Sequence, residues 1–528
     1  MRLRRILSGS APGAAAPFFP EPTYNVTPAI DSLRSAHVSP FDVAVLGGGP
    51  AGAAAARMLA LWGHRVLVLT RPPRGPALAE SLTPSCGKLL ARIGVLDAMN
   101  GAGFVRSTGH TVQWGKGDTR VESFGNGEFG WQLPSDALDR VLLHQTQLAG
   151  AKVHRHANVR RVVPDSDGNW RISYEERGTL RHLSAPWVID CTGRSGLMSR
   201  AKSGRVAAGP RTTAIVGVWE RRPNWALAND SHTYVESFPG GWAWSVPVSR
   251  IRRQVTVMLD PARTDIARGR RLPQTYREEL ARTSLIRTMT EQARPIGAPW
   301  ARDASSYACD VAPRARLLIA GDAASFIDPL SSFGVKKALA SGWLAAVVVH
   351  SVLADATIEP AAMSLFVARE RDMGMGLRRQ LGELAREAAA VYPAEFWGNR
   401  VGPDVLDGGS DPNVAALRQD QDVVAAFAAI RSVETLQVRA APGVVRQAQP
   451  VVEGHTVVLR DHLVVPAFPE GIRYLRNVDL IALAGLAPQH TDVPALYLAY
   501  CAQAGGAPIV DVIGALAVLV AKGILRFA

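Results

Sequence analysis

The feature that most constrains this chain is the stretch of residues 41–52, with the sequence FDVAVLGGGPAG. Its aliphatic run over residues 42–46 predicts a short, buried parallel strand, because it is β-branched and too short for a helix. The small residues that follow predict a helix over residues 53–62, and residues 65–69 predict a second strand. A strand, a glycine turn, a helix and a strand in this order indicate a dinucleotide-binding unit.

The glycine turn has the G-x-G-x-x-G spacing at Gly47, Gly49 and Gly52. Gly47 permits the tight turn, Gly49 lets the backbone approach a pyrophosphate, and Gly52 lets the helix pack closely on the strand. Pro50 and Ala51 lie between these glycines and are expected to contact the same cofactor.

The second strand is followed by Thr70 and Arg71, where such units usually carry a carboxylate for the ribose. An arginine at this position favours a phosphate, so binding of NADP stays open as an alternative. A glycine turn without a ligand is the blander interpretation.

The size, composition and charge of the chain limit the number of domains and the kinds of binding partner that it can have. A length of 528 residues predicts two or three domains. A hydrophobic content of 47% with 20% charged residues is typical of a globular enzyme and excludes wholesale disorder. The net charge of +13 comes from scattered arginines without a nucleic-acid motif. Anionic small molecules or an acidic polypeptide therefore fit at least as well as nucleic acid or a membrane surface.

The cysteines and the apolar stretches bear on the compartment. The four cysteines have neither disulfide nor metal-ligand spacing, which predicts a reducing cytoplasm and no metal site. The most apolar stretch, residues 512–521, is too short to span a membrane and predicts a buried helix. Residues 1–39 are expected to form a disordered leader, because their apolar segment is broken by Ser, Gly and Pro.

Three later segments extend the pattern. Residues 187–196 (WVIDCTGRSG) predict a strand that ends in Asp-x-Thr-Gly, and residues 317–322 (LLIAGD) predict another buried parallel strand. Residues 212–260 alternate between apolar and polar side chains. They predict a mostly antiparallel sheet, the expected floor of a substrate pocket.

The glycine loop, residues 190–193 and the Gly321-Asp322 pair follow one another in an order that resembles the p-hydroxybenzoate-hydroxylase-like flavoprotein monooxygenases. The resemblance covers about residues 41–355 and implies bound FAD. It implies that the glycine loop holds the pyrophosphate, that Gly193 lies close to the cofactor, and that Asp322 bonds the ribityl chain. The helix that follows Asp322 would face the flavin pyrimidine with its N-terminus.

Further stretches resemble one branch, the flavin-dependent halogenases with their close monooxygenase relatives. WAWSVP at residues 242–247 is similar to W-x-W-x-I-P, with Val246 in place of Ile. The resemblance implies that Trp242 and Trp244 screen the flavin from the substrate. ESLTPSCGK at residues 80–88 resembles the segment that presents a reactive lysine, which places Lys88 in that role.

Residues 326–334 match the halogenase pattern F-x-x-P-x-x-S-x-G through Phe326, Pro329, Ser332 and Gly334. The resemblance implies a catalytic role for Ser332, flavin contacts for Pro329 and Gly334, and a halide held by backbone N–H groups around Phe333 and Gly334.

Two departures leave the reaction open. Ser331 and Phe333 stand where tryptophan halogenases carry a glutamate and a threonine. The sequence DPLSSFGVKKAL also resembles flavoprotein hydroxylases, one of which oxidises a tryptophan within a polypeptide during maturation of a quinone-containing dehydrogenase. The basic charge and a C-terminal recognition-like module would suit such a polypeptide substrate.

The resemblance thus implies an enzyme that uses reduced FAD and O2 to halogenate or hydroxylate an electron-rich aromatic substrate, an indole or a phenol. Reduced FAD is expected from a separate flavin reductase, and chloride or bromide is the expected halide. The competing hypotheses are a single-component NADPH-dependent hydroxylase, a geranylgeranyl-reductase-like enzyme and a non-catalytic FAD-binding scaffold.

The predicted fold class is α/β (α+β), with a Rossmann-type FAD-binding domain, an inserted antiparallel sheet, and a helical, winged-helix-like C-terminal domain. The expected boundaries are a leader at 1–39, an FAD-binding domain (about 40–100, 136–198 and 300–355), a substrate domain (about 101–135 and 199–299), a helical segment and linker at 356–410, and a C-terminal domain at 411–528.

Overall fold

The computed structural model describes residues 40–73, 75–115, 117–202, 204–225, 227–262, 271–309, 315–401 and 414–528. The predicted leader and most of the predicted linker lie outside these residues. The described chain forms two compact units, one of residues 40–354 and 366–401 and the other of residues 355–365 and 414–528. The helical segment after residue 366 therefore belongs with the first unit.

The first unit is built on a five-stranded sheet whose strands all run parallel. Its strands, in spatial order, are Leu317–Ile319, Trp187–Asp190, Val43–Leu46, Val66–Thr70 and Lys152–Arg155. Parallel strands are buried on both faces, and the three central strands are accordingly apolar throughout except for Asp190 and Thr70. The predicted strands and their parallel arrangement are confirmed.

One predicted strand is divided in two. The sequence predicts a continuous strand over residues 153–163, but His156 adopts a left-handed conformation (φ +64°) that breaks it. The first piece, Lys152–Arg155, joins the parallel sheet, and the second pairs with Trp170–Glu176 in a small antiparallel sheet. That sheet comprises Ala157–Pro164, Trp170–Glu176 and Thr179–Ala185.

A seven-stranded sheet forms the second layer of this unit. Its strands pair in antiparallel fashion, as the alternating sequence over residues 212–260 predicts, with one exception. The Thr233–Phe238 strand runs parallel to Gly109–Gln113. Its strands, in spatial order, are Arg294–Asp303, Thr213–Glu220, Arg252–Leu259, Gly241–Pro247, Thr233–Phe238, Gly109–Gln113 and Arg120–Ser123. Two small sheets complete the unit: Ala79–Leu82 with Gly130–Pro134 and Val105–Ser107, and Arg205–Ala207 with Tyr307–Cys309 and Ser325–Phe326.

The central helix of the unit is Gly334–Ala354, which we call the core helix. By length and composition the core helix could cross a membrane, and so could the bent pair Val493–Ala504 and Ile509–Ala521. In the core helix, however, 72% of the most apolar window is buried inside the protein. The first helix, Pro50–Leu61, begins three residues earlier than predicted, because proline is favoured at a first helical position. The remaining helices are Gly87–Arg92, Leu96–Gly101, Ser135–Leu148, Leu197–Lys202, Leu272–Ala281, Leu285–Glu291, Glu359–Ala389 and Glu395–Gly398.

The C-terminal unit has its own hydrophobic core, formed by helices around short strands. Its helices are Val414–Gln419, Gln421–Ser432, Leu480–Leu486, Val493–Ala504 and Ile509–Ala521. Its strands are Val438–Ala440, Val445–Glu453, Thr456–Val465, Phe468–Ile472, Tyr474–Leu475, Val478–Asp479 and Leu525–Phe527. The buried helix predicted at residues 512–521 lies within Ile509–Ala521.

Candidate active site

The glycine loop lies at the carboxyl end of the Val43–Leu46 strand. Gly47 has a φ of +109°, and a Cβ there would lie 2.1 Å from the carbonyl oxygen of Cys191. A Cβ on Gly52 would lie 2.0 Å from the carbonyl oxygen of Gly47. The protein's own backbone therefore requires glycine at both positions.

Gly49 differs from its two neighbours in the fingerprint. Its backbone is extended (φ −76°, ψ −172°), and the nearest atom to a Cβ there would be Oδ1 of Asp139, at 3.9 Å. No close contact within the described residues demands glycine. A bare backbone at the start of a helix suits a pyrophosphate, which binds the helix N-terminus and needs this close approach. The loop thus fits the FAD that the sequence predicts.

The Asp-x-Thr-Gly turn follows the neighbouring strand. The buried carboxylate of Asp190 accepts hydrogen bonds from the N–H and hydroxyl of Thr192, at 2.9 and 2.6 Å, and from the N–H of Met198 at 2.7 Å. Burial raises the pKa of Asp190, and these hydrogen bonds oppose the rise. Asp190 therefore shapes the turn, and Gly193 within it adopts a φ of +62°.

The Gly-Asp turn follows the third strand. Gly321 has a φ of +63°, and a Cβ there would lie 2.8 Å from the Cβ of Ala51 in the glycine loop. Its N–H donates to Oγ of Ser341 at 2.8 Å. Burial raises the pKa of Asp322, and Lys337, whose Nζ lies 3.8 Å from Oδ1 of Asp322, opposes the rise. Asp322 is thus placed beside the glycine loop, where its carboxylate could accept a ribityl hydroxyl.

Two further carboxyl groups belong to this region and were not predicted. Burial raises the pKa of Glu80 to about 8, with contributions from the charges of Asp322 and Asp139. Burial also raises the pKa of Asp139 to about 7. The segment of Glu80 was identified in the sequence, but its role follows from tertiary neighbours that no local pattern encodes. Perturbed carboxyls of this kind are typical of functional sites.

The tryptophan motif and the turn before the core helix meet through Asp328. The rings of Trp242 and Trp244 are stacked, with centroids 4.6 Å apart and an interplanar angle of 28°. Burial raises the pKa of Asp328 to about 6, opposed by hydrogen bonds from the Leu330 N–H (3.0 Å) and the Trp242 side chain. Leu330 and Trp242 also share one hydrophobic cluster. The two motifs therefore form one continuous wall.

The turn itself engages part of the predicted halide cradle. Ser332 adopts the left-handed conformation (φ +52°), and its N–H donates to the carbonyl of Pro329 at 2.8 Å. The N–H of Phe333 donates to Oγ of Ser331 at 3.3 Å. Ser331, which stands where tryptophan halogenases carry a glutamate, thus accepts a hydrogen bond from one of the N–H groups that are expected to hold the halide. Gly334 is exposed at the start of the core helix.

Lys88 lies exposed on the Gly87–Arg92 helix. A second lysine, Lys336 of the core helix, reaches the same segment and donates to Oγ of Ser85 at 3.1 Å. Burial lowers the pKa of Lys336, and the positive charge of Lys88 lowers it further. The sequence identified only Lys88; the structure adds Lys336, a half-buried amine that is more easily deprotonated.

The predicted residues thus gather around the start of the core helix. The glycine loop contacts both neighbouring turns, Asp328 joins the tryptophan pair to the turn that begins this helix, and Lys336 joins the helix to the Lys88 segment. The sequence shows two adjacent lysines shortly after Gly334, but only the fold shows that the side chain of Lys336 reaches the Lys88 segment.

Comparison with known proteins identifies the family of this chain and proteins similar to it. The FAD binding domain family matches residues 40–354. A flavin-dependent halogenase of Armillaria mellea, armH3, is 27% identical over 390 residues, which cover 67% of this chain and 77% of that protein.

Two solved structures share the fold over both units. The flavin-dependent halogenase CmlS superposes with a TM-score of 0.73 at 20% identity, covering 93% of this chain and 96% of its own. The peptidyl tryptophan dihydroxylase QhpG, essential for tryptophylquinone cofactor biogenesis, superposes with a TM-score of 0.65 at 22% identity, covering 91% and 99%. The C-terminal unit is therefore part of a fold that occurs in both kinds of enzyme.

Proposed function

The chain belongs to the FAD binding domain family, and on that premise we propose that it uses reduced FAD and O2 to halogenate an electron-rich aromatic substrate, an indole or a phenol. The observation that carries this proposal is the stacked pair of Trp242 and Trp244 tied through Asp328 to the turn at the start of the core helix. The same helix start adjoins the Lys88 segment. Similarity to flavin-dependent halogenases supports the same reaction.

When FAD is bound and reduced, its reaction with O2 supplies the oxidising equivalent. The glycine loop and Asp322 would hold the cofactor. Trp242 and Trp244 would separate the substrate from the flavin and so discourage direct oxygen transfer. An amine, that of Lys88 or of its neighbour Lys336, would receive hypohalous acid, either as a hydrogen-bonded molecule or by forming an N-halogenated amine with loss of water. Chloride or bromide is the proposed halide.

The reductant is proposed to be free reduced flavin from a separate reductase. The sequence contains a single complete dinucleotide fingerprint, and the open space beside Gly49 supports its use for FAD. We therefore expect the purified protein to oxidise NADPH no faster than free FAD does, with or without substrate. Adding a flavin reductase with NADH should start product formation.

Absorbance at the wavelength of NADPH measures this directly, with FAD alone as the control. Rapid NADPH oxidation by the protein without a reductase would support the single-component hydroxylase and contradict the two-component arrangement. Arg71, which follows the second strand of the dinucleotide unit, would then be the first residue to replace.

A second candidate is hydroxylation of a tryptophan within a polypeptide. The specific observation in its favour is the hydrogen bond from the Phe333 N–H to Ser331, which engages part of the halide cradle. The charge of the C-terminal unit does not add support for a polypeptide substrate. Residues 414–528 carry nine basic and nine acidic side chains, so this unit is not the basic surface that such a substrate was expected to contact. The excess positive charge of the chain therefore lies elsewhere.

An isoprenoid reductase and a non-catalytic scaffold receive less support. An isoprenoid-reducing enzyme needs a long apolar tunnel, whereas the wall beside the core-helix turn consists of stacked tryptophans and a carboxyl group. A non-catalytic scaffold would not need the raised pKa values of Glu80 and Asp139, which are typical of functional sites. We also propose a cytoplasmic location, supported by the four free cysteines, three of them buried.

A further inference from the structure

Lys337, on the first turn of the core helix, is a buried lysine on a largely apolar helix. Its side chain is 2% exposed. Its Nζ donates hydrogen bonds to the carbonyl oxygens of Gly321, at 3.0 Å, and of Ser325. These two carbonyls lie at the beginning and the end of the turn that carries Asp322. The ammonium group therefore ties both ends of the turn to the core helix.

The same ammonium acts electrostatically on two carboxyl groups, the partly exposed Asp322 and the buried Glu370. It lies 3.8 Å from Oδ1 of Asp322, and its charge is the leading influence that opposes the burial-raised pKa values of Asp322 and Glu370. Arg194 and Arg205 also act on Asp322. Glu370, on the helix Glu359–Ala389, is 5% exposed, and the hydroxyl of Ser341 also opposes the rise of its pKa.

A buried ammonium is poorly explained by stability alone. Moving a charge out of water is costly, and a buried ion pair usually stabilises a fold no better than apolar side chains in place of both partners. The neighbouring inward positions of the core helix, Ala338 and Leu339, are apolar. A charge retained at this position therefore indicates a role in the adjacent site.

We infer that Lys337 is a positioning residue for FAD, which fixes the turn of residues 321–325 and so holds the Asp322 side chain where it would accept the ribityl hydroxyls. This inference rests on the proposed flavin-dependent function and deepens it. Its buried positive charge also favours the anionic form of a reduced flavin bound beside Asp322. Lys337 touches the turn and not the reacting atoms, so it acts through Asp322.

The test compares two variants. Lys337→Met keeps the length of the side chain but removes both the charge and the donors, whereas Lys337→Gln keeps an N–H donor without the charge. We expect FAD affinity to fall about 10- to 100-fold in the Met variant, as is usual when a residue that orients a ligand contact is lost. Both variants should lower the reduction potential of bound FAD, and Gln should restore part of the affinity.

Lys522→Met is the matched control, because this largely buried lysine pairs with Asp420 of the C-terminal unit, at 2.6 Å, and does not contact the turn. Its FAD affinity should stay within about threefold of wild type, a change of less than 1 kcal/mol. Affinity is measured by titrating FAD into the flavin-depleted protein, and the potential by dye-coupled reduction of the reloaded protein.

The outcomes separate this inference from the proposed function. Wild-type affinity and potential in both variants would overturn the role of Lys337. A variant that only unfolds at lower temperature, with an unchanged potential, would show a structural role and would also overturn it. If the Met variant does not fold, the potential of the Gln variant decides. Failure of the wild-type protein itself to bind FAD would instead contradict the proposed function.

Discussion

Replacing Gly49 with valine is expected to leave the protein folded and to reduce FAD affinity at least about 100-fold, a loss of about 2.7 kcal/mol. The fold should survive because a Cβ at this position meets no atom nearer than 3.9 Å and the backbone is extended, a conformation that valine accepts. FAD should be lost because the added side chain occupies the space into which the pyrophosphate must come.

FAD titration, with circular dichroism and thermal unfolding, measures both halves of this prediction. Gly376→Val is the matched control, because Gly376 lies in the helix Glu359–Ala389 and also has open space around its Cβ position. Gly52→Val should behave differently and impair folding, since its Cβ would lie 2.0 Å from a backbone oxygen. A folded Gly49→Val protein with wild-type FAD affinity would show that the cofactor does not bind over this loop.

Replacing Lys88 with alanine is expected to abolish halogenation while FAD binding, flavin reoxidation and hydrogen peroxide release continue. The exposed position of Lys88 makes a folding defect unexpected. If the enzyme instead hydroxylates its substrate, Lys88 only positions that substrate, and turnover should fall by about 10- to 100-fold. Product yield and peroxide release, measured together, distinguish these two results.

Lys336→Ala is the informative comparison for Lys88. The two amines adjoin the same segment, and burial lowers the pKa of Lys336. A neutral amine is the form that reacts with hypohalous acid, so Lys336 is the second possible recipient of the halogen. Full halogenation by Lys88→Ala, together with none by Lys336→Ala, would transfer the assigned role to Lys336.

The parts of the fold that depend on local pattern could be predicted from the sequence. The apolar run before Gly47 can form only a short buried strand, and the run that ends at Gly321 carries the same information. The alternation over residues 212–260 likewise specifies an antiparallel sheet. The break at His156 was missed because nothing adjacent to that histidine encodes a left-handed residue.

The motifs of the candidate site could be predicted from the sequence, but the contacts between those motifs could not. Lys88, Trp242 and Asp322 lie in recognisable segments, but the contact of Trp242 with Asp328 joins residues far apart in the chain. Lys337 gave no local signal, because an ordinary lysine at a helix start is expected to face solvent. Charge and burial at such positions follow from the packing of the whole unit.

The most direct test of the account is the halide dependence of product formation. Wild-type protein, FAD, a flavin reductase and an indole or phenol substrate are incubated in parallel with saturating chloride, with bromide, and in halide-free buffer. Mass spectrometry of the product should show chlorine in the first reaction, bromine in the second, and no halogenated product in the third. The same oxygenated product in all three reactions would contradict halogenation and establish the enzyme as a hydroxylase.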